Sequence, residues 1–119
     1  MPGTLRRSNG FQLRPHPLRR RNLRVPCHVT ARVEATSETV RGLCTDLSLG
    51  GLLFVGPPLD SGERVEVVLE LLPYAFVRLS GEVLDRRSLP AGAATAIRFP
   101  QLGPRELVAI NRFVAFQLA

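Results

Sequence analysis

The sequence predicts an all-β domain with one C-terminal helix: a six-stranded antiparallel barrel that the helix caps. Between residues 25 and 99, apolar and polar side chains alternate in short runs, and glycine, proline and aspartate separate these runs at regular intervals. After residue 103, the apolar spacing changes from that of a strand to that of an amphipathic helix. A closed barrel leaves few strand edges open, and the helix can cover one of its mouths.

The composition is that of a single globular domain. Of the 119 residues, 45% are hydrophobic and 22% are charged, and this length supports a core without disulfide staples. No apolar run is long enough to span a bilayer. The N-terminal arginines are not followed by the apolar stretch of a secretory signal. These features predict a cytoplasmic protein.

The first strand is predicted at Val25–Glu34, where every second residue is apolar. Pro26 near its start indicates that the strand begins at an edge. The polar segment Ala35–Glu38 is predicted to be a turn, and Thr39–Thr45 the second strand. The remaining strands are predicted at Leu52–Val55, Arg64–Leu72, Phe76–Asp85 and Ala94–Phe99.

The segments between the later strands contain residues that favour turns. Gly56 and two prolines end the third strand, and a loop is predicted at Arg86–Ala93. The helix is predicted to begin at Gly103-Pro104, because proline suits the first helical position. Its packing face is predicted from apolar residues at helical spacing, flanked by two phenylalanines. These residues are Leu107, Ile110, Val114 and Leu118, with Phe113 and Phe116 beside them.

The two cysteines, Cys27 and Cys44, are too few for a disulfide framework and are predicted to be buried thiols. The two histidines, His16 and His28, do not provide metal-ligand spacing with them. No metal site is therefore predicted. A nucleophilic Cys/His pair remains an alternative, because residues distant in sequence can be neighbours in space.

The positive charge is concentrated at the N-terminus. All sixteen basic residues are arginines, and residues 1–33 hold eight of them and no acid. Residues 34–119 hold eight arginines against ten acids, a net charge of −2. Codon bias can account for the missing lysine but not for the clustering. We expect residues 1–17 to be a flexible basic tail and residues 18–119 to be the domain. A basic arm favours phosphate-bearing partners: nucleic acid, an anionic membrane or a nucleotide.

The segment between the second and third strands has the chemistry of a binding site. It reads Asp46-Leu47-Ser48-Leu49-Gly50-Gly51. In an extended chain Asp46 and Ser48 point to the same face, and the glycines allow a sharp turn or a close approach. The alternative is that the Asp46 and Ser48 side chains bond only to the local backbone, as they often do in turns.

A second candidate stretch, Arg20-Arg21-Asn22-Leu23-Arg24, precedes the first strand. Arginine binds phosphate in a bidentate manner, which suits an anionic ligand. Asp46 and Ser48 in the other stretch add hydrogen-bond acceptors and a donor. The two stretches are therefore predicted to close over one anionic, purine-bearing ligand.

With these elements in order, residues 18–117 resemble the PilZ domain family. The RxxxR motif of the family is matched by Arg20 to Arg24, followed by Val25-Pro26 as the first strand begins. Its (D/N)xSxxG motif is matched by Asp46 to Gly51, and the ending Ala96-Ile97-Arg98-Phe99 before the helix is also similar. The resemblance implies a PilZ-type barrel and a receptor for cyclic di-GMP that has no catalytic residues and no other cofactor.

The resemblance also implies which residues bind the ligand. They are Arg19, Arg20, Arg24, Asp46, Ser48, Gly50 and Gly51. In similar proteins, an arginine directly before the first motif accompanies binding of a stacked pair of ligand molecules, and Arg19 has that position here. Two ligands per domain are therefore predicted. The arm is expected to become ordered around the ligand and to present a new surface to a partner protein.

Other functions are weighed against this one. A nucleic-acid-binding barrel would explain the basic arm, but single-strand binders stack bases on outer aromatics, and Phe54, Phe99 and Phe113 have core positions. A PilZ-like adaptor that works without ligand is a second alternative. An enzyme lacks support, because there are no paired carboxylates and no metal spacing. The family is associated with motility, surface attachment and biofilm polysaccharide, and nothing in the sequence selects among them. The downstream partner and the choice between monomer and homodimer also remain open.

Overall fold

The computed structural model describes residues 23–72 and 75–118, which form six strands and one helix. The tail predicted at residues 1–17, and the candidates Arg19 and Arg20, lie outside the described residues. The elements, named here in chain order, are β1 (Val25–Glu34), β2 (Thr39–Leu47), β3 (Gly51–Gly56), β4 (Arg64–Leu72), β5 (Ala75–Leu89), β6 (Gly92–Arg98) and α1 (Pro104–Leu118). The predicted fold, a six-stranded antiparallel barrel with one C-terminal helix, is confirmed.

The barrel closes in the strand order β1-β2-β3-β6-β5-β4, with every neighbouring pair antiparallel. β1 pairs with β2 along its length, from Val25 to Glu34. Its pairing with β4 covers only Ala31–Glu34. The first half of β1 is therefore held by β2, and the start of β1 lies next to the end of β2. Arg24, the last residue of the first sequence motif, and Asp46, the first residue of the second, lie in this region.

The barrel interior is apolar, as the alternation predicts. In β1, Val25, Val29, Ala31 and Val33 are all buried. The three phenylalanines assigned to the core, Phe54, Phe99 and Phe113, are buried as well. Their rings are therefore not available to stack on nucleic-acid bases. Of the two thiols predicted to be buried, Cys44 is buried, but Cys27 is only partly so.

The packing face of α1 differs from the predicted one. The buried residues of the helix are Ile110 and Phe113, whereas Leu107 and Leu118 are exposed. The contact surface is therefore shorter than the apolar stripe on the helix. The apolar residues at the two ends of the stripe remain accessible to solvent.

The loop predicted at Arg86–Ala93 is instead the tip of a β-hairpin. β5 continues to Leu89, only Pro90 and Ala91 form the turn, and β6 begins at Gly92. A β-bulge between Val83 and Arg86 interrupts the alternation. Beyond it the β5 side chains up to residue 88 are exposed on both faces. The strand therefore lacks the period-2 pattern from which it could have been predicted.

The outer surface carries cross-strand ion pairs. Arg78 on β5 donates to Glu34 on β1 at 2.7 Å, and Arg32 lies 3.2 Å from the same carboxylate. The hydrogen bond from Arg78 holds the pKa of the Glu34 carboxyl below its ordinary value. These charges belong to the solvated face of the barrel. In the described part of the chain, no helix is long and apolar enough to cross a membrane.

Candidate functional site

The register of β1 and β2 brings the two sequence motifs together. Pro26 lies opposite Asp46 in this pairing, so Arg24, just before β1, lies beside the Asp46 carboxylate. The Arg24 Nε atom donates to Asp46 Oδ2 at 2.9 Å, and Nη2 lies 2.8 Å from the same oxygen. The last arginine of the first motif and the first residue of the second motif are thus in direct contact.

This ion pair retains capacity for a ligand. The Arg24 side chain is 60% exposed and that of Asp46 is 27% exposed. Both contacts involve Asp46 Oδ2, and they use neither Asp46 Oδ1 nor Arg24 Nη1. With respect to the described residues, a carboxylate oxygen and a guanidinium N–H group therefore remain for an additional partner.

Ser48 and the two glycines form the corner that follows β2. The Ser48 amide donates to the Gly51 carbonyl at 2.9 Å. The Ser48 hydroxyl accepts a hydrogen bond from the Gly50 amide at 3.1 Å and donates to the Gly51 carbonyl at 3.3 Å. The Gly50 carbonyl accepts a hydrogen bond from the Phe99 amide at 2.9 Å. The hydroxyl therefore stabilises the corner, and one of its two acceptor lone pairs is still unused by these bonds.

Asp46 and Ser48, expected to project together from an extended chain, lie in different parts of the backbone. β2 extends to Leu47, two residues beyond the predicted end at Thr45, so Asp46 lies within the strand. Ser48 follows the strand end and is buried in the corner. The alternation of sides holds only while the backbone is extended, and the turn begins between the two residues. A ligand contact by Ser48 remains a prediction.

Gly51 allows two strands to approach closely. It is the first residue of β3 and lies opposite Arg98 of β6. A Cβ atom at this position would collide with the carbonyl oxygen of Ile97. The close approach predicted for this glycine is therefore made by the neighbouring strand. Room for a ligand at Gly51 remains a prediction.

Replacing Gly51 with alanine is expected to lower the free energy of unfolding by about 1–3 kcal/mol, because β3 and β6 must separate to admit the methyl group. Urea denaturation of the variant and the wild type measures the difference. Gly103→Ala is a matched control, because an added Cβ there meets the Glu106 carboxylate, the mobile end of a side chain. Equal losses in both variants would contradict this explanation.

An open cavity of about 260 Å³ lies beside the corner. One side is formed by Arg24 and the corner, and the other by residues of β5 and β6. The complete lining is Arg24, Ser48, Gly50, Gly51, Leu52, Leu84, Ala96, Ile97 and Arg98. The structure thus gathers four sequence candidates, Arg24, Ser48, Gly50 and Gly51, around one space, with Asp46 adjacent to it through Arg24.

Two residues at this cavity were not among the sequence candidates. Arg98 brings a second guanidinium, whose Nη2 atom lies 2.5 Å from Glu82 Oε1. This hydrogen bond holds the pKa of the Glu82 carboxyl below its ordinary value. Leu84 is a partly exposed apolar side chain on β5. Two features of the sequence could have indicated these residues. Arg98 is the last residue of β6, and Leu84 is apolar at a position where the alternation along β5 predicts a polar residue.

A larger cavity, of about 530 Å³, lies between α1 and the β4–β5 pair. It is lined mainly by apolar side chains, including Leu71, Val77, Phe113 and Phe116, and its only charged lining residue in the described part of the chain is Arg112. Such a surface does not suit a ligand with two phosphates. The smaller cavity with two arginines is therefore the candidate site for an anion. No group of described residues could hold a metal ion.

Comparison with protein families identifies the domain type that this chain is similar to. The family model described as PilZ domain matches residues 18–116. This range includes both motifs, all six strands and most of the helix. A search of curated proteins found no match to the chain.

Solved structures share the fold. One is the inhibitor of motility MotI/DgrA from Bacillus subtilis, with a TM-score of 0.70 and 17% identity, covering 84% of this chain and 52% of that one. Another is YcgR from Escherichia coli in complex with c-di-GMP, with a TM-score of 0.69, 20% identity, and coverage of 84% and 46%. The PilZ domain of YcgR with c-di-GMP has a TM-score of 0.69 and 18% identity, and coverage of 84% and 92%. The chain spans about half the length of the first two proteins.

Proposed function

The chain belongs to the PilZ domain family, and from this membership we propose that it is a receptor that binds cyclic di-GMP without converting it. The family match and the two neighbouring structures that contain c-di-GMP support this proposal. Because these structures share only 20% and 18% identity with the chain, they show its fold and not its ligand. The ligand assignment therefore rests on the residues of the candidate site.

The contact between Arg24 and Asp46 is the observation that carries the proposal. It places a guanidinium and a carboxylate side by side at a cavity that also contains Arg98. Cyclic di-GMP offers two phosphates and two guanines. Arg24 Nη1 suits a phosphate or guanine acceptor, and Asp46 Oδ1 suits the N–H edge of guanine; the Arg24–Asp46 contact uses neither atom.

The other wall of the cavity supplies complementary contacts. Arg98 stands on β6 and Leu84 on β5, so they face the corner from a different part of the barrel. The Arg98 guanidinium adds positive charge for the second phosphate, and its plane can stack on a base. Leu84 offers an apolar surface for a guanine face. The hydrogen bonds of Ser48, Gly50 and Gly51 stabilise the corner. In this proposal, the Ser48 hydroxyl and the backbone groups of the glycines also contact the ligand.

Arg19 and Arg20 complete the site in this proposal. They lie outside the described residues, and their assignment rests on the RxxxR motif and on the arginine before it. The arm closes over the ligand, its charge repulsion is relieved by the phosphates, and the ordered arm forms a surface for a downstream protein. Binding of a stacked pair of ligands is part of the proposal.

Calorimetric titration of the full chain with cyclic di-GMP tests this function. We expect micromolar or tighter binding, about −8 kcal/mol or better, with saturation at two ligands per chain. Cyclic di-AMP is the matched control, since it keeps the phosphates but lacks the guanine edge, and it should bind at least about tenfold more weakly.

The outcomes of this titration separate the parts of the proposal. Saturation at one ligand would contradict the stacked pair alone. Equal affinity for cyclic di-AMP would contradict guanine recognition. No binding of either compound would contradict the receptor and favour an adaptor that works through protein contacts.

A further inference from the structure

The two cysteines of the chain face each other across the β1–β2 pair. Cys27 and Cys44 are its only cysteines, and their Sγ atoms lie 3.7 Å apart. The register shifts by one residue between Pro26 and Val29, so that Val29 lies opposite Cys44. This bulge inserts an extra residue into β1. Cys27 shares the inward face of β1 with Val25 and Val29, so it lies on the same side of the strand pair as Cys44.

The two thiols have different environments. Cys27 is partly exposed, whereas Cys44 is fully buried. The hydrogen bond between the thiols lowers the pKa of Cys27, because the Cys44 S–H group can donate to a Cys27 thiolate. The same hydrogen bond, together with burial, raises the pKa of Cys44. Cys27 is therefore the thiol that both reaches solvent and is more readily deprotonated, as a reactive thiol must be.

We propose that Cys27 and Cys44 form a reversible disulfide when the protein meets a peroxide. The Cys27 thiolate attacks one peroxide oxygen, the O–O bond breaks, hydroxide leaves, and Cys27 becomes a sulfenic acid. Cys44 then attacks the Cys27 sulfur, and the S–OH bond breaks. The departing hydroxide takes the Cys44 proton as water. Two thiols and one hydrogen peroxide thus yield one disulfide and two waters, and a dithiol reductant reverses the oxidation.

The geometry needed for this bond is close to the one present. An S–S bond measures about 2.0 Å, so the two sulfurs must approach by less than 2 Å from their separation of 3.7 Å. This movement would occur in the first half of β1, which contains a bulge and, among the described strands, is paired only with β2. The Cys27 side chain is also partly exposed. Side-chain rotation with a small shift of this edge can supply it.

The disulfide would lie next to Asp46, which pairs with Arg24 at the candidate ligand site. The Cys44 thiol donates to the Asp46 carbonyl at 3.4 Å, and Cys27 follows Arg24 by three residues. The bond would tie the start of β1 to the end of β2, the two segments whose pairing places Arg24 beside Asp46. The formation of the disulfide itself does not depend on the identity of the ligand.

Peptide mapping tests the proposal. The full chain is reduced, freed of reductant, treated with hydrogen peroxide, blocked at its remaining thiols and digested with trypsin without reduction. Trypsin cuts after Arg24, Arg32, Arg41 and Arg64, so the cysteines fall in peptides 25–32 and 42–64. We expect these peptides joined within one chain, at their summed mass less two hydrogens, and separated by dithiothreitol.

Two controls make the result specific. Cys27→Ser should abolish the reaction of Cys44 in the folded protein, because Cys44 is buried. The wild-type chain should form the intramolecular disulfide roughly tenfold faster when folded than when unfolded in urea, because the fold holds the sulfurs together. Oxygen added to Cys27 without a cross-link, disulfide-bonded dimers in place of the internal bond, or a reaction no faster in the folded state would each overturn the proposal.

Discussion

Arg24→Ala is expected to weaken cyclic di-GMP binding about 10- to 100-fold while leaving the free energy of unfolding almost unchanged. The loss in affinity follows from removing one charge-assisted contact, worth about 1.5–3 kcal/mol. The variant also leaves the Asp46 carboxylate without its partner at 2.8 Å, so its negative charge faces an anionic ligand uncompensated. The stability effect is small because an exposed ion pair contributes roughly 0–1 kcal/mol, and the Arg24 side chain is 60% exposed.

Calorimetric titration measures the affinity of this variant, and urea denaturation measures its stability. Arg41→Ala is the matched control, because Arg41 is an exposed arginine on β2 and does not line the cavity. It removes the same charge and should leave affinity within about twofold. Arg24→Lys keeps the charge but removes the planar guanidinium group that can form two parallel hydrogen bonds. We therefore expect this variant to retain only part of the binding affinity. If Arg24→Ala and Arg41→Ala weaken binding equally, the effect is one of net charge and not of a specific contact.

Phe54→Ala is expected to lower the free energy of unfolding by about 3–5 kcal/mol, which is a large fraction of the stability of a domain of this size. Phe54 has 0% of its surface exposed. A Cβ atom added at Gly42 or at Gly56 would lie only 2.9 Å from its Cζ atom, so the ring tip fills space left by two glycines. Without the ring, these glycines offer no side chain to close the cavity, and the cost is expected at the upper end of the range.

Urea denaturation followed by circular dichroism measures this loss. Phe76→Ala is the control, because Phe76 is also on a strand but is 68% exposed. Its replacement should change the free energy of unfolding by less than about 1 kcal/mol. Equal losses in the two variants would show that the difference in burial does not govern their contributions to stability.

The strands and the helix were predictable where each is amphipathic, and unpredictable where it is not. The bounds of β1 and β4 were predicted to the residue, because each has one face in the core and one in solvent. The end of β5 was missed because its last residues are exposed on both faces. The predicted packing face of α1 was too long, since Leu107 and Leu118 match the helical spacing but are exposed.

For the candidate site, the two motifs and the family resemblance predicted Arg24, Asp46, Ser48, Gly50 and Gly51 as ligand-binding residues, which stays a prediction. They could not assign the separate roles that the structure shows: Arg24 bonded to Asp46, Ser48 bonded within the corner, and Gly51 against β6. The first and the third of these contacts join segments that are distant in the sequence, and the second depends on how the chain turns after β2. Residue type and order state which chemistry is available, but the positions of the partners depend on the strand register.

The sequence by itself determined the order and type of the elements and the residue types of the binding chemistry, because these depend on local periodicity and on short spacings. Only the tertiary structure decided how the barrel closes, that Arg98 joins the site from β6, and that Cys27 meets Cys44. These outcomes depend on the register in which distant strands pair, such as that of β1 with β2. A shift of one residue in that register would reverse the face of every side chain on the strand, and local periodicity contains no information about which register the partner strand selects.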